Sequence, residues 1–153
     1  MKNLFILDLD HTLIYGSYAE QESAPLLFQY NTYLRVYKRP LAEQLLAKCK
    51  VKGDIIIYTT ALRPYANKIA NKLNIQPIEI LSRKQCLFKN GSWKKRVKDE
   101  WINKYDKITI IDDSPNVWQD IPSTTELLIP TEFRGSENDF GLEEIITKLS
   151  RYQ

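Results

Sequence analysis

The stretch FILDLDHTL, residues 5–13, ends an apolar run with two aspartates placed two residues apart. The apolar residues predict a strand over 4–9 that is buried on both faces. Side chains two apart on a strand point the same way, so we expect Asp8 and Asp10 to share one side at its carboxyl end. Two ionised carboxylates that close repel each other, and a divalent cation is the usual way to keep both charged.

The composition is that of an ordinary globular domain. The 153 residues suffice for one domain with a real core, and 43% are hydrophobic and 27% charged. The net charge of +3 does not by itself indicate a nucleic-acid partner, and we expect none. We also expect no membrane partner, since no apolar run approaches roughly 20 residues, and no signal peptide. Cys49 and Cys86 lack metal-site spacing, which predicts a reduced, cytoplasmic protein without disulfides.

Strand-like and helix-like segments alternate along the chain. Strands are predicted over 4–9, 54–60, 78–81, 108–111 and 126–129. Helices are predicted over 40–49 with Pro40 at the first position, over 63–73, over 96–105 and over 141–152. This order predicts a single α/β domain over residues 1–153, with a five-stranded parallel sheet flanked by helices.

Two short β segments are expected beside that sheet. Residues 15–38 predict a flap of extended segments around an Asn31-Thr32 turn, and a small β insertion is expected near 82–95. Within the latter, CLFKNGSW predicts a hairpin around Asn90-Gly91. The intervals between motifs leave no room for a large cap domain.

Polar residues follow the predicted strands where each one ends. Asp8 and Asp10 follow the first strand, Thr59 and Thr60 end the second, and Asp112-Asp113 follow the fourth. In parallel sheets these ends meet at one edge, where functional residues gather. Four carboxylates there predict a site for a hard cation such as Mg²⁺. A lysine from WKKRVK, residues 93–98, could neutralise a phosphate at the same edge.

Five motifs in order resemble the haloacid dehalogenase superfamily, and within it the small phosphatases with an NLI-interacting-factor-like domain, akin to those acting on the RNA polymerase II C-terminal domain. The matching segments are LDLDHTL, VYKRP, YTTALRPYA, SRKQCLFKNGSWKK and IIDDSP, between about residues 4 and 119. The resemblance implies a Rossmann-like phosphatase domain that uses Mg²⁺.

The resemblance also implies a role for each matched residue. Asp8 would be the nucleophile that forms an aspartyl-phosphate, and Asp10 the general acid and then the base. Thr59 and a lysine would bind the phosphoryl oxygens. The metal would be held by Asp8, Asp10 and Asp113, with Asp112 supporting both the metal and the lysine. This agrees with the chemistry, since a carboxylate nucleophile divides phosphoryl transfer into two displacements.

Two lysines compete for the phosphate-binding role. Lys95 keeps the family's spacing from Cys86 and has the apolar Val97 two positions on, so we favour it. Lys98 precedes an aspartate, as the family's lysine often does, but has Glu100 where an apolar residue is expected.

The resemblance places substrate contacts at three further residues. Arg83 matches a substrate-contacting arginine, and Leu62 and Tyr65 match positions beside the substrate groove, although their helical spacing also fits a core. Residues 83–98 hold seven Lys or Arg and no acid, which could steer an anionic substrate to the metal edge. An uncapped site favours a phosphorylated protein or peptide.

Three alternatives remain open at this point. The chain could hydrolyse a small phosphomonoester or a nucleic-acid phosphate end, or it could be a non-catalytic module that binds phosphopeptides. A binding module has no need of a general acid, so Asp10 argues for an enzyme. A receiver-type phosphoacceptor places its phosphorylated aspartate after the third strand, which the motif order here opposes.

Overall fold

The strand that carries the first motif is completely buried in the computed structural model, which describes residues 1–19 and 21–153. The segment predicted as a flap contains Glu20, which lies outside the described residues. The strands are β1 (Asn3–Leu7), β2 (Ile14–Ser17), β3 (Leu26–Gln29), β4 (Arg35–Lys38), β5 (Gly53–Tyr58), β6 (Glu79–Leu81), β7 (Leu87–Lys89), β8 (Ser92–Arg96), β9 (Lys107–Ile111), β10 (Trp118–Gln119) and β11 (Thr125–Leu128). The helices are α1 (Ala42–Lys52), α2 (Arg63–Lys72), α3 (Asp99–Lys104) and α4 (Glu143–Leu149).

The main sheet is parallel, with strand order β11-β9-β1-β5-β6. This confirms the predicted five-stranded parallel sheet. Leu7 lies opposite Ile57 of β5 and Ile111 of β9, so the three central strands end at nearly the same level. The chain runs outward from β1 through β5 and β6 on one side and through β9 and β11 on the other. The carboxyl end of β1 therefore lies where strand order reverses, the usual place for a site in this kind of sheet.

The core covers both faces of this sheet. Phe5 and Leu7 point to one face and pack in a cluster that includes Leu45 of α1 and Ile69 of α2. The alternating residues of β1 point to the other face, where Trp101 of α3 closes a second cluster. Burial on both faces explains why the strands are continuous apolar runs, and it confirms the predicted helices on both sides.

Three helices, α1, α3 and α4, begin later than the sequence pattern predicts, and α4 starts at Glu143 rather than at residue 141. Pro40 does not start α1: Leu41 has a φ of 72°, and the amide of Ala42 donates to the carbonyl of Arg39 at 3.1 Å. Residues 39–42 thus form a turn with proline at its second position, as type II turns favour. The helix predicted over 96–105 starts only at Asp99, because Arg96 still belongs to β8.

Two small sheets accompany the main one, as predicted. Strands β2, β4 and β3 form an antiparallel sheet, which we call the flap, and β10, β8 and β7 form a second, which we call the insertion sheet. In the flap, Asn31 Oδ1 accepts two backbone amides of the turn at 2.8 Å each. In the insertion sheet, Asn90 and Gly91 have φ values of 53° and 79°, typical of a two-residue hairpin turn. Between its motifs the described chain carries only these insertions and no large cap.

No helix within residues 1–19 and 21–153 has both the length and the apolar character needed to cross a membrane. Cys49 and Cys86 are both buried free thiols.

Arg39 fastens the loop after β1 to the C-terminal part of the chain. Its side chain is completely buried and pairs with Asp139 at 2.7 Å. The same guanidinium donates to the carbonyls of Thr12, at 3.1 Å, and Thr131, at 2.7 Å. All of these acceptors lie outside the regular strands and helices, so Arg39 supplies hydrogen bonds that secondary structure does not.

Removing Arg39 should destabilise the fold strongly. Arg39→Ala leaves the Asp139 carboxylate and two carbonyls without their donor, and breaking a buried ion pair costs about 3–5 kcal/mol. The adjacent Lys38 pairs with Glu43 at the surface, where a pair contributes about 1 kcal/mol or less. Urea denaturation of Arg39→Ala and the matched control Lys38→Ala measures both. Equal losses of unfolding free energy would contradict the assigned role of Arg39.

Candidate active site

The site begins at residues that directly follow three neighbouring strands. Asp8 follows β1, Thr59 follows β5 and Asp112 follows β9. Each continues the ladder by one bond: the Asp8 amide donates to Ile111, and the Thr59 and Asp112 amides donate to the carbonyls of β6 and β11. These backbone bonds fix the three side chains at one edge, as the strand pattern predicts.

Three of the four predicted carboxylates come together. One oxygen from each of Asp8, Asp112 and Asp113 lies within 4.8 Å of the others. Asp8 and Asp112 are buried, and Asp113 is half-buried. Such a group of hard oxygen donors suits a divalent cation such as Mg²⁺.

Lys95 is the cation of this cluster. Its side chain is 1% exposed, and its Nζ lies 3.1 Å from Asp8 Oδ1 and 2.8 Å from Asp112 Oδ2. The ammonium also lies 5.7 Å from the ring centre of Tyr58 and 5.6 Å from that of Trp118. Two carboxylates and two aromatic faces therefore hold it in place.

The charges of the cluster do not balance. Burial, followed by the charge of Asp8, raises the pKa of Asp112 to about 6. Burial also raises the pKa of Asp8, against the opposing charge of Lys95. For Lys95, burial alone would lower the pKa, but Asp8 and Asp112 outweigh it and raise the pKa overall. One ammonium facing three acids leaves an excess of negative charge, which a cation would offset.

Thr12 bridges two of the acids with one hydroxyl group. Its Oγ1 lies 2.8 Å from Asp8 Oδ2 and 3.0 Å from Asp113 Oδ1, and it accepts the Asp113 amide at 3.1 Å. The single hydroxyl proton can serve only one carboxylate at a time. Asp8 and Asp113 therefore share a single hydroxyl proton, and a metal ion held between the two carboxylates would satisfy both.

Asp10 lies beyond the end of the first strand. The strand ends at Leu7, and the carbonyl of Leu9 then accepts the amides of residues 12, 13 and 14, so strand alternation no longer applies. The Asp10 side chain lies outside the three-carboxylate group, and its Oδ1 accepts a hydrogen bond from Tyr65 at 3.3 Å. Burial, and then the charge of Asp8, raises the pKa of Asp10 to about 6.

The two threonines after β5 differ in exposure. Thr59 is 1% exposed, and its Oγ1 accepts the Ala61 amide at 3.0 Å. A hydroxyl that accepts this bond still has a proton to donate to a phosphate oxygen. Thr60 is half-buried, and its carbonyl accepts from Arg83 at 2.8 Å.

Two of the three predicted substrate residues share a groove, and the third contacts Asp10. Leu62, 58% exposed, and Arg83 line one shallow groove. Tyr65 instead packs against the flap, with its ring centre 5.1 Å from that of Tyr30, and reaches Asp10.

Trp118 has a polar contact that the sequence pattern did not indicate. The side chain is 7% exposed, and its Nε1 donates to Asp112 Oδ2 at 2.9 Å. Its short strand β10 pairs with β8 so that Trp118 lies opposite Lys95. The hydroxyl of Thr12 was likewise not assigned a role, although it is the last residue of the DxDxT motif and could have been.

The parallel sheet with clustered aspartates at its carboxyl edge defines an α/β fold of the haloacid dehalogenase type. A family model for NLI interacting factor-like phosphatases matches residues 3–153. The chain therefore belongs to this family, which confirms the resemblance seen in the motifs.

Individual relatives agree with this assignment. CTD small phosphatase-like protein 1 of Caenorhabditis elegans is 28% identical over 149 residues, covering 83% of this chain and 30% of that protein. CTD small phosphatase-like protein 2 of Dictyostelium discoideum is 34% identical over 119 residues, covering 72% of this chain and 20% of that protein. This chain thus spans less than a third of the length of either relative.

The fold also matches a solved structure, that of Fcp1, described as an essential RNA polymerase II CTD phosphatase. The TM-score is 0.59 at 22% identity, over 97% of this chain and 49% of that one. This likeness shows a shared fold.

The two candidate lysines should differ sharply when replaced. Lys95 lies inside the carboxylate cluster, whereas Lys98 has a 39% exposed side chain that pairs with Glu79 and Glu100 at the surface. One charge-assisted contact to a transferring phosphoryl group contributes roughly 2–4 kcal/mol, so Lys95→Ala should lower kcat/KM about 30- to 1,000-fold. We expect Lys98→Ala to change it by less than about threefold.

Circular dichroism and thermal unfolding of both variants separate a catalytic loss from unfolding. Lys95→Met retains much of the side-chain volume and serves as a second variant. If Lys98→Ala is the more damaging change while both variants are folded, the assignment to Lys95 is wrong.

Proposed function

We propose that this chain is a Mg²⁺-dependent phosphomonoester hydrolase that uses Asp8 as a covalent nucleophile. The observation that supports it most directly is the Asp8 carboxylate, which lies beside the buried ammonium of Lys95 at the end of the central strand. Family membership supports the same reaction class. A carboxylate, a fixed ammonium and a cluster of hard ligands are the parts that phosphoryl transfer to an aspartate needs.

The reaction runs in two displacements. In the first, an Asp8 oxygen attacks phosphorus, the bond to the substrate oxygen breaks, and Asp10 gives its proton to that oxygen. In the second, Asp10 takes a proton from a water molecule, which attacks phosphorus and releases inorganic phosphate from Asp8. Lys95 and the hydroxyl of Thr59 donate hydrogen bonds to the phosphoryl oxygens and so hold them in line.

The carboxylates of Asp8 and Asp113 would hold the metal, with Asp112 orienting Lys95 at its side. The excess negative charge of the cluster and the single hydroxyl proton of Thr12 support this assignment. A bound Mg²⁺ would offset the negative charge of the phosphoryl group. The Asp10 side chain was predicted as a further ligand, but its place beside Tyr65 favours the acid–base role.

We propose a phosphoserine or phosphothreonine in a protein as the substrate. The relatives named above are called CTD small phosphatase-like proteins, and Fcp1 is described as an RNA polymerase II CTD phosphatase, which supports a phosphoprotein substrate for this chain too. The charge of the surface supports the same substrate class, because residues 83–98 carry seven basic residues and no acid beside the site, which favours an anionic phosphopeptide. The uncapped edge leaves space for an extended chain. A cytoplasmic location fits the two free thiols.

Hydrolysis of p-nitrophenyl phosphate should require Mg²⁺ and Asp8. We expect a chelator to abolish turnover of the purified chain and added Mg²⁺ to restore it, because the carboxylate cluster would then lack its cation. Asp8→Asn should abolish turnover and prevent beryllofluoride, which mimics an aspartyl-phosphate, from binding at this residue.

Two results would count against this mechanism. Full activity in the presence of the chelator would show that the reaction does not need the metal. Turnover by Asp8→Asn close to that of the wild type would remove Asp8 as the nucleophile, as would a beryllofluoride complex at another residue.

Phosphopeptides should be better substrates than small phosphomonoesters. Contacts with the flanking peptide can orient the phosphate at Asp8, whereas a small ester has few contacts at an uncapped edge. We expect kcat/KM for phosphoserine peptides to exceed that for sugar phosphates, nucleotides and phosphorylated DNA ends at least about tenfold. In Arg83→Ala, the difference in kcat/KM between phosphopeptides and small phosphomonoesters should be smaller than in the wild type. A tenfold preference for any non-peptide class would overturn the substrate assignment.

A further inference from the structure

An aromatic pair lies on the insertion sheet, in which an exposed Phe88 packs on a half-buried Trp93 that also contacts the second core cluster. Phe88 of β7 is 63% exposed, and its ring centre lies 4.9 Å from that of Trp93 of β8, with the planes at 61°. The two residues are directly paired across the hairpin. Single exposed apolar residues are common on proteins, but two aromatic rings held against each other form a preorganised surface.

This pair lies on the face of the hairpin that carries Lys95. Side chains two apart on a strand share a face, so Trp93 points the same way as Lys95. Cross-strand pairing places Phe88 on that face too, while Leu87 and Lys94 form the pair on the opposite face. Since Lys95 reaches Asp8, the aromatic pair shares its face of the hairpin with the ammonium of the candidate site.

Arg83 joins the pair to the groove beside the second motif. Its guanidinium carbon lies 5.7 Å from the ring centre of Trp93, and its Nε donates to Thr60. The groove that Arg83 shares with Leu62 also has Lys84 at its side. The aromatic surface is therefore bordered by cations where it meets the site.

We propose that Phe88 and Trp93 form a subsite for an apolar side chain of an acidic phosphopeptide, with Arg83 and Lys84 facing the acidic residues beside it. This proposal rests on the proposed function and names a determinant of its substrate class. An acidic peptide is favoured because residues 83–98 carry seven basic residues and no acid. The subsite is close to the candidate active site because Phe88 and Trp93 share a hairpin with Lys95.

The position of the subsite sets the spacing of the peptide. A strand advances roughly 3.3 Å per residue, so Trp93 lies roughly 7 Å along β8 from Lys95. An extended substrate advances equally, which places the bound side chain about two to four residues from the phosphorylated one.

The test uses three proteins and two substrates. The wild type, Phe88→Ala and the control Leu87→Ala are assayed on p-nitrophenyl phosphate and on an acidic phosphoserine peptide with phenylalanine about two to four residues from the phosphate. Leu87 suits the control because it is similarly exposed, at 53%, and points to the opposite face. We expect Phe88→Ala to lower the ratio of peptide to aryl phosphate kcat/KM about five- to tenfold, mainly through KM. Leu87→Ala should leave that ratio unchanged.

A second peptide, with alanine in place of phenylalanine, isolates the contact. The kcat/KM of the wild type for the alanine peptide should be as low as that of Phe88→Ala for the phenylalanine peptide. Phe88→Ala should have nearly the same kcat/KM for both peptides. Equal ratios for Phe88→Ala and the wild type, or equal losses in both variants, would overturn the subsite while leaving the phosphatase intact. A single-stranded oligonucleotide that competes through Phe88 better than the peptide would overturn the peptide as occupant. Failure of the wild type to hydrolyse even the aryl phosphate would instead reject the proposed function and the subsite with it.

Discussion

The buried ammonium of Lys95 is the interaction on which the candidate site depends. Burying a charge is costly unless partners compensate it, and here Asp8 and Asp112 do so from the ends of two neighbouring strands. Lys95 itself belongs to the insertion sheet, so the same contacts attach that sheet to the main one. The chemistry and the placement of the hairpin are therefore coupled: neither the carboxylates nor β8 can shift without exposing an unpaired charge.

Arg39 and Lys95 are both buried cations, but the groups around them differ. Arg39 meets one carboxylate, Asp139, and several carbonyls, so its charge and donors are matched within the fold. Lys95 meets a cluster of three acids, which stays negative after the pairing. The charges of Arg39 and Asp139 cancel each other. The three acids around Lys95 keep a net negative charge, which would attract a cation and, through that cation, a phosphate. Arg39 also donates to the Thr12 carbonyl, so it helps to hold in place the residue whose hydroxyl lies between Asp8 and Asp113.

The sequence predicted the parts of the site that follow directly from strand geometry. Asp8, Thr59 and Asp112 each follow a buried apolar run, so parallel pairing alone brings them to one edge. The position of Asp10 could not be derived in this way, because the strand ends before it and the turn around Leu9 depends on hydrogen bonds that no residue pattern displays.

Long-range contacts were the least predictable part of the fold. Trp118 is placed by a two-residue strand, too short to leave a pattern, and the start of α1 depends on the positive φ of Leu41. Arg39 stood in a recognised motif, yet its partner Asp139 lies 100 residues further along the chain. Local patterns thus located the strand ends, while the contacts between distant segments that complete the site required the folded chain.

The candidate site residues and the exposed residues around them belong to different elements of the fold. The candidate site residues Asp8, Thr59 and Asp112 follow β1, β5 and β9, which are held by ladders on both sides and by a core on both faces. The rim is built from the flap and the hairpin of β7 and β8, whose outer side chains face solvent. A substitution at Phe88 or Lys84 disturbs no buried contact of the carboxylate cluster, whereas one at Trp118 removes a donor from Asp112. Substrate preference can therefore change at the hairpin while the chemistry stays fixed by the sheet, and Lys95, which belongs to both, limits how far the hairpin can move.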